Sequence, residues 1–390
     1  MTRSTCFTTA CLLIVGLTSL CAHGQGEFPL ERHPLADGPR GLVQASRRPT
    51  MKSAEKPSQL KGVPEALSEK AAYFVVRAGS GGFLLAIDLS GSPVLYVDTD
   101  RDNDLADEKP IALSEAEKWA YYSGVITVGA SKGKDQPAVQ FELWAYAKGR
   151  TVPWISVAPA GFYSGKVTIG EKAYAVALTD LNLDGRLLGR QDTLALDLNG
   201  SGDFEPLASE IMPLSDMVRV ENAYYSVEAE ADGSAIRLKK ITPESGTLAV
   251  EDPCVQFTVL GHVGMFSLEA SDSSWKLPVG KYTTALVKLA VKDEEENVWI
   301  LPCVRLPSEM RELDIRKGET VALAIGPPLT LATDVSPRGG SVLIGVNLTG
   351  RAGERYLPGA FKNGEMLEPP KFRILDEAGH ELAADSFQYG

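Results

Sequence analysis

The sequence predicts a mostly β protein: antiparallel β-sheets with inserted EF-hand-like calcium loops, followed by an immunoglobulin- or transthyretin-like β-sandwich. Three observations predict it. Short runs rich in Val, Leu and aromatic residues recur between Gly, Ser and Asp turns, as in YFVVRAG, GFLLAIDL and VLYVD. VQFELWAY alternates Val139, Phe141, Leu143 and Ala145 with Gln140, Glu142, Trp144 and Tyr146, the period of a half-buried strand. Acidic residues alternate at two-residue steps in three places, each beside such runs.

From the N-terminus, Arg3 precedes the apolar stretch ACLLIVGLTSLCA, the form of a signal peptide over 1–24 with cleavage before Gln25. The stretch is shorter than the roughly 20 residues that span a bilayer, and no other segment is apolar enough, so no transmembrane span is expected. The mature chain is expected to be secreted, periplasmic or at the cell surface, and Cys21 after LTSL leaves a lipoprotein open. Residues 25–64 are polar and rich in Pro and Arg and read as a disordered tether. Residues 65–245 form the calcium-loop β region and 246–390 the C-terminal β-sandwich region.

Within the first region, SEAE at Ser114–Glu117 has the Ser-x-x-Glu form of a capping box and predicts a short helix. Tyr224 to Ile241 predicts a hairpin turning at Asp232-Gly233. The last third repeats the strand texture in KYTTALVKLAV, NVWILPCVRL, TVALAIG and GSVLIGVNL.

With 51 acidic against 39 basic residues, the net charge is −12, and loss of Arg3 with the signal makes it one unit more negative. Such a chain is a poor binder of nucleic acid or anionic lipid and a reasonable one of cations. Two cysteines remain after the signal, Cys254 and Cys303, and an oxidising compartment predicts one disulfide between them, with two buried free thiols as the alternative.

The acidic segments carry the functional expectation. The first places Asp98, Asp100 and Asp102 ahead of Asn103 and Asp104; the second, Asp180, Asn182 and Asp184 ahead of Gly185 and Arg186; the third, Asp197, Asn199 and Ser201 ahead of Gly202 and Asp203. These fit positions 1, 3, 5, 6 and 7 of an EF-hand-type loop, where position 7 offers its backbone carbonyl. Leu105, Leu187 and Phe204 follow at position 8. Lys109, Gln191 and Ala208 stand where the closing bidentate Glu belongs, with Glu108, Asp192 and Glu210 as the nearby substitutes. Hard oxygen donors suit Ca²⁺, and the scarcity of His and Cys argues against zinc or copper. A divalent cation would turn the mutual repulsion of Asp98, Asp100 and Asp102 into coordination. The second and third loops are expected to face each other across TLAL (Thr193 to Leu196), so that Asp192 serves either ion.

With their surroundings, these segments resemble the EF-hand-like and dockerin-like calcium loops of uncharacterised secreted bacterial β-rich proteins. The resemblance rests on the Asp/Asn alternation, implies calcium between β-strands, and supplies no activity.

No G-x-S-x-G, H-E-x-x-H, P-loop or C-x-x-C motif is present. His262 is the one candidate base in a strand-rich stretch and reads as structural. Trp119, Tyr121, Tyr122, Trp144, Tyr146 and Trp154 read as core residues, with a sugar-stacking platform as the alternative. The expectation is a secreted, calcium-binding and calcium-stabilised structural or binding protein whose ligand is a carbohydrate or a cell-surface protein. The alternative is a secreted hydrolase, for example of polysaccharide, using paired carboxylates.

Overall fold

The computed structural model describes residues 25–51, 55–130, 136–149, 151–205, 210–252, 255–269, 272–339, 341–357 and 359–388; the predicted signal peptide lies outside them. Antiparallel strands dominate, as the sequence predicts. Among the described residues no helix is long and apolar enough to cross a membrane.

The alternation in VQFELWAY becomes the strand Val139–Lys148, in which Phe141, Leu143 and Ala145 are fully buried while Gln140 is exposed and Trp144 half-buried. It lies at the centre of a five-stranded sheet ordered Arg48–Met51, Thr151–Pro159, Val139–Lys148, Ala120–Val128, Ser114–Glu117. That sheet packs on a four-stranded meander, Ala72–Ala78, Gly81–Asp88, Val94–Val97 and Ile111–Ala112, around a core containing Phe74, Phe83, Leu95, Phe141 and Ile155.

A second pair of sheets follows. One is ordered Ile211–Pro213, Thr193–Leu196, Lys172–Thr179, Gly161–Ile169, Glu31–Pro34; the other Gln25–Pro29, Ala235–Ile241, Ala223–Ala229, Met217–Val220. Val176, Leu194, Val218 and Ile236 fill the space between them. Leu35, Ala158, Phe162, Ala177 and Ala195 then join the two pairs, with Leu42 entering from the helix Arg40–Ala45. Each large apolar side chain so buried contributes about 1.5–3 kcal/mol.

From Ser245 onward, a three-stranded sheet of Ser274–Pro278, Ser245–Val250 and Thr320–Leu323 faces a larger one that includes Val255–Gly261, Gly280–Lys292 and Val298–Arg305. Phe257, Phe266, Trp275 and Tyr282 lie in their shared core, which Tyr224 joins from the preceding half.

Three expectations need correction. Residues 25–51 are not a tether: Gln25–Pro29 pairs with Ala235–Ile241, Glu31–Pro34 with Gly161–Ile169, and Arg48–Met51 with Thr151–Pro159. Backbone pairing at sheet edges holds them, and it leaves little apolar periodicity to read. Ser114–Glu117 is an edge strand paired with Ala120–Val128, not a helix start, because no helical apolar period follows the Ser-x-x-Glu pattern. Cys303 carries a free, half-buried thiol whose Sγ donates to the Arg305 carbonyl at 3.4 Å, with Tyr356 as its cross-strand neighbour; Cys254 lies outside the described residues. The Tyr224–Ile241 hairpin is present, with Gly233 at φ 78° in its turn.

Candidate metal centre

The three acidic loops share one backbone design. Each connects neighbouring antiparallel strands: Val94–Val97 to Ile111–Ala112, Lys172–Thr179 to Thr193–Leu196, and Thr193–Leu196 to Ile211–Pro213. In each, the first aspartate caps the turn. Asp98 accepts the amides of Asp102 (3.0 Å) and Asn103 (3.2 Å). Asp180 accepts those of Asp184 (3.1 Å) and Gly185 (2.8 Å), and Asp197 those of Ser201 (3.0 Å) and Gly202 (3.0 Å). The third residue then accepts the fifth amide: Asp100 from Asp102 at 3.3 Å, Asn182 from Asp184 at 2.8 Å, Asn199 from Ser201 at 2.7 Å. The fifth side chain accepts the seventh amide: Asp102 from Asp104 at 2.7 Å, Asp184 from Arg186 at 2.9 Å, Ser201 from Asp203 at 3.3 Å.

Such Asx turns need left-handed backbone at two places, and the φ values repeat: Arg101 61°, Leu183 57° and Gly200 75° at position 4, then Asn103 67°, Gly185 79° and Gly202 83° at position 6. Position 8 is buried every time, at Leu105, Leu187 and Phe204. Oxygen side chains at alternate positions therefore turn toward one side of a tight loop.

The first loop gathers its acids most closely. One carboxylate oxygen from each of Asp98, Asp100 and Asp102 lies within 4.8 Å of the others. Burial pushes the Asp98 carboxyl upward against the amides of Asn103 and Asp102, and the charge of Asp102 adds to the rise. Glu108 does not join this triad; both its oxygens accept the Thr99 hydroxyl (3.0 and 2.8 Å), and Oε1 also takes the Thr99 amide. Asp104 accepts the Ala106 amide at 2.8 Å. The loop docks on 61–62, with Lys61 donating to the Asn103 carbonyl (2.9 Å) and Leu105 to that of Gly62 (3.2 Å). A Cβ on Gly62 would fall 2.3 Å from Asp104 Oδ1. The sequence pattern did not point to this docking segment.

The second loop is closed by Asp192, whose Oδ2 accepts the Leu188 amide at 2.9 Å. Burial and then the charges of Asp180 and Asp184 raise the Asp192 carboxyl to about 7. Burial raises Asp180 to about 6, with the charge of Asp184 adding to it. Arg48, from the predicted tether, faces Asp180.

The third loop is closed by the fully buried Glu210, which accepts the amides of Leu198 (2.9 Å), Asn199 (3.0 Å) and Glu205 (2.9 Å). Asp203 accepts the amides of Phe204 (2.7 Å) and of Gly41 (3.0 Å), so this loop anchors the N-terminal helix. The second and third loops do not face each other. Asp192 and Asp197 lie at opposite ends of Thr193–Leu196, a strand about 13 Å long, and Asp192 belongs with Asp180 and Asp184 alone.

A catalytic pair would sit in a cleft. The polar cleft of 290 Å³ between Arg32, Gln140, Tyr163, Asp180 and Arg186 has Asp180 as its single lining carboxylate, whereas a cleft of 410 Å³ is lined by Glu31, His33 and Asp197. His262 is exposed. The aromatics are not all core: Trp119 and Trp154 are 57% and 45% exposed, Tyr146 stacks on Trp154 at 6.0 Å, and Arg47 lies over the half-buried Trp144 at 4.2 Å.

The fold and these loops define a class, a multi-sheet β protein with acidic turn loops between its strands. Compared with known protein families, characterised proteins and solved structures, the chain matches none.

Proposed function

We propose that the protein is a secreted, calcium-stabilised structural or binding protein, and that Asp98, Asp100 and Asp102 hold its principal ion. The convergence of their three oxygens within 4.8 Å carries the reading. Asp98 is buried while Asp100 and Asp102 are more open; their like charges repel, and a cation would turn that repulsion into coordination. Oxygen donors alone, with no His or Cys among them, suit a hard ion, and a flexible loop with carbonyls nearby suits Ca²⁺ better than Mg²⁺. The resemblance to calcium loops of secreted bacterial proteins points the same way. The ion would be structural: at free calcium about a hundredfold above Kd, binding adds about 2.7 kcal/mol to stability. A carbohydrate or a cell-surface protein remains the partner class, with the exposed Trp119 and Trp154 as the contact residues to test. A hydrolase would need two acids acting in one cleft; the Asp180 cleft has one, and Glu31 and Asp197 line another with His33.

Thermal unfolding of the mature chain in about 1 mM calcium against excess EGTA tests the proposal. Wild type should melt several degrees higher with calcium, and Asp100→Asn combined with Asp102→Asn should lose much of that rise. Equal melting of wild type in both buffers would sink it.

A further inference from the structure

Asp192 is 1% exposed, and only one of its two oxygens is satisfied. Oδ2 takes the Leu188 amide, whereas Oδ1 is buried and accepts no hydrogen bond from the protein. The Asn182 amide eases the carboxylate's charge from nearby, without reaching Oδ1 as a donor. Native structures rarely bury a carboxylate oxygen in this way, because the group forfeits its hydration with nothing in exchange. The neighbours worsen matters, since the charges that reach Asp192 are those of Asp180 and Asp184. Arg48 faces Asp180 and offsets one of the three charges. The three carboxylates do not bring one oxygen each within 4.8 Å of one another as Asp98, Asp100 and Asp102 do, so an ion here would draw Asp180 and Asp184 in toward the bare, buried Asp192 oxygen.

We propose that Asp180, Asp184 and Asp192 hold a second divalent, oxygen-preferring cation, with Asp192 closing the loop in place of the glutamate an EF-hand loop would use. The proposal shares with the preceding one the view that these loops bind calcium, but it stands on different residues. It also gives the ion a mechanical role. Leu183, between Asn182 and Asp184, is buried in the core of the first sheet pair, and Leu187 in that of the second. An ion in this loop fixes the spacing of the two residues and so rivets the two cores together.

The test counts calcium bound per full chain by equilibrium dialysis and atomic emission, using wild type, Asp192→Asn, Asp184→Asn and the Asp100→Asn/Asp102→Asn pair. In Asp192→Asn the single remaining oxygen is needed by Leu188, so the amide NH₂ faces the cation. The expected result is one ion fewer than wild type in Asp192→Asn, an ion the Asp100/Asp102 pair retains while losing its own. Asp184→Asn should match Asp192→Asn and guards against a variant that fails to fold. In EGTA, Asp192→Asn should melt no lower than wild type, because it removes a buried unpaired charge; in calcium it should melt lower. Unchanged ion counts in both loop variants would overturn the proposal and leave a bound water as the partner of Oδ1. If the Asp100/Asp102 pair keeps every ion while Asp192→Asn loses one, the principal site fails and this one stands.

Discussion

Asp88 is buried like Asp98 and Asp192, at 4% exposed, yet it is satisfied by backbone rather than poised for an ion. It accepts the amides of Ser68 (2.6 Å) and Ser90 (2.8 Å). Burial alone would raise its pKa, but the hydrogen bonds from Ser90 and Ser68 outweigh it and bring the group down to about 2. The sign follows from linkage: a carboxyl whose folded pKa lies below its unfolded value of about 3.9 stabilises the fold above that pH. That stability is lost as pH falls from about 4 to about 2. The melting temperature of wild type should therefore drop across this window, and Asp88→Asn should flatten the drop; an identical acid limb in both would show that Asp88 contributes nothing there. Legibility at this scale follows sequence distance. Asp98, Asp100 and Asp102 could be read as a group because their partners lie within a few positions. Asp88 could not, since Ser68 is a distant neighbour, nor could Arg48 opposite Asp180.

Among elements, those with a clear side-chain period were legible and those held mainly by backbone were not. Val139–Lys148 announces itself because apolar residues fill one face and alternate with polar and amphipathic ones on the other, even though Glu142 on that second face is also buried. Gln25–Pro29 and Arg48–Met51 carry prolines and charges, and their place is set by the strands they pair with, 210 and 103 or so residues away in register terms such as Glu27 to Arg237 and Met51 to Trp154. The same blindness placed the second and third loops opposite each other: the pattern shows spacing but not which end of a four-residue strand each loop occupies. Native-state trypsin digestion decides the N-terminal element. A tether would be cut quickly after Arg32, Arg40 and Arg47, whereas paired strands and a docked helix should resist until the chain opens. Rapid cutting at these sites, with the rest of the chain intact, would restore the tether.

At the scale of the molecule, the acidic loops lie in one half only. All three join strands of the first two sheet pairs. The first two are also linked to each other: Arg101 of the first donates to Gln136 at 2.9 Å and to the Pro137 carbonyl at 3.4 Å, and Gly185 of the second packs close to Pro137. The C-terminal core has Tyr224 as a member from the preceding half, with its hydroxyl donating to the Lys276 carbonyl at 2.6 Å. Calcium should therefore stabilise the halves unequally, since binding energy reaches a distant element only through contacts that open with the site. Hydrogen–deuterium exchange with and without EGTA measures this directly. Chelation should speed exchange in Val94–Val97, Thr193–Leu196 and Lys172–Thr179 by at least tenfold while leaving Val255–Gly261 and Ser245–Val250 nearly unchanged. Equal acceleration in both halves would mean that Tyr224 and its neighbours weld the chain into one cooperative unit, and that calcium governs the stability of the whole molecule.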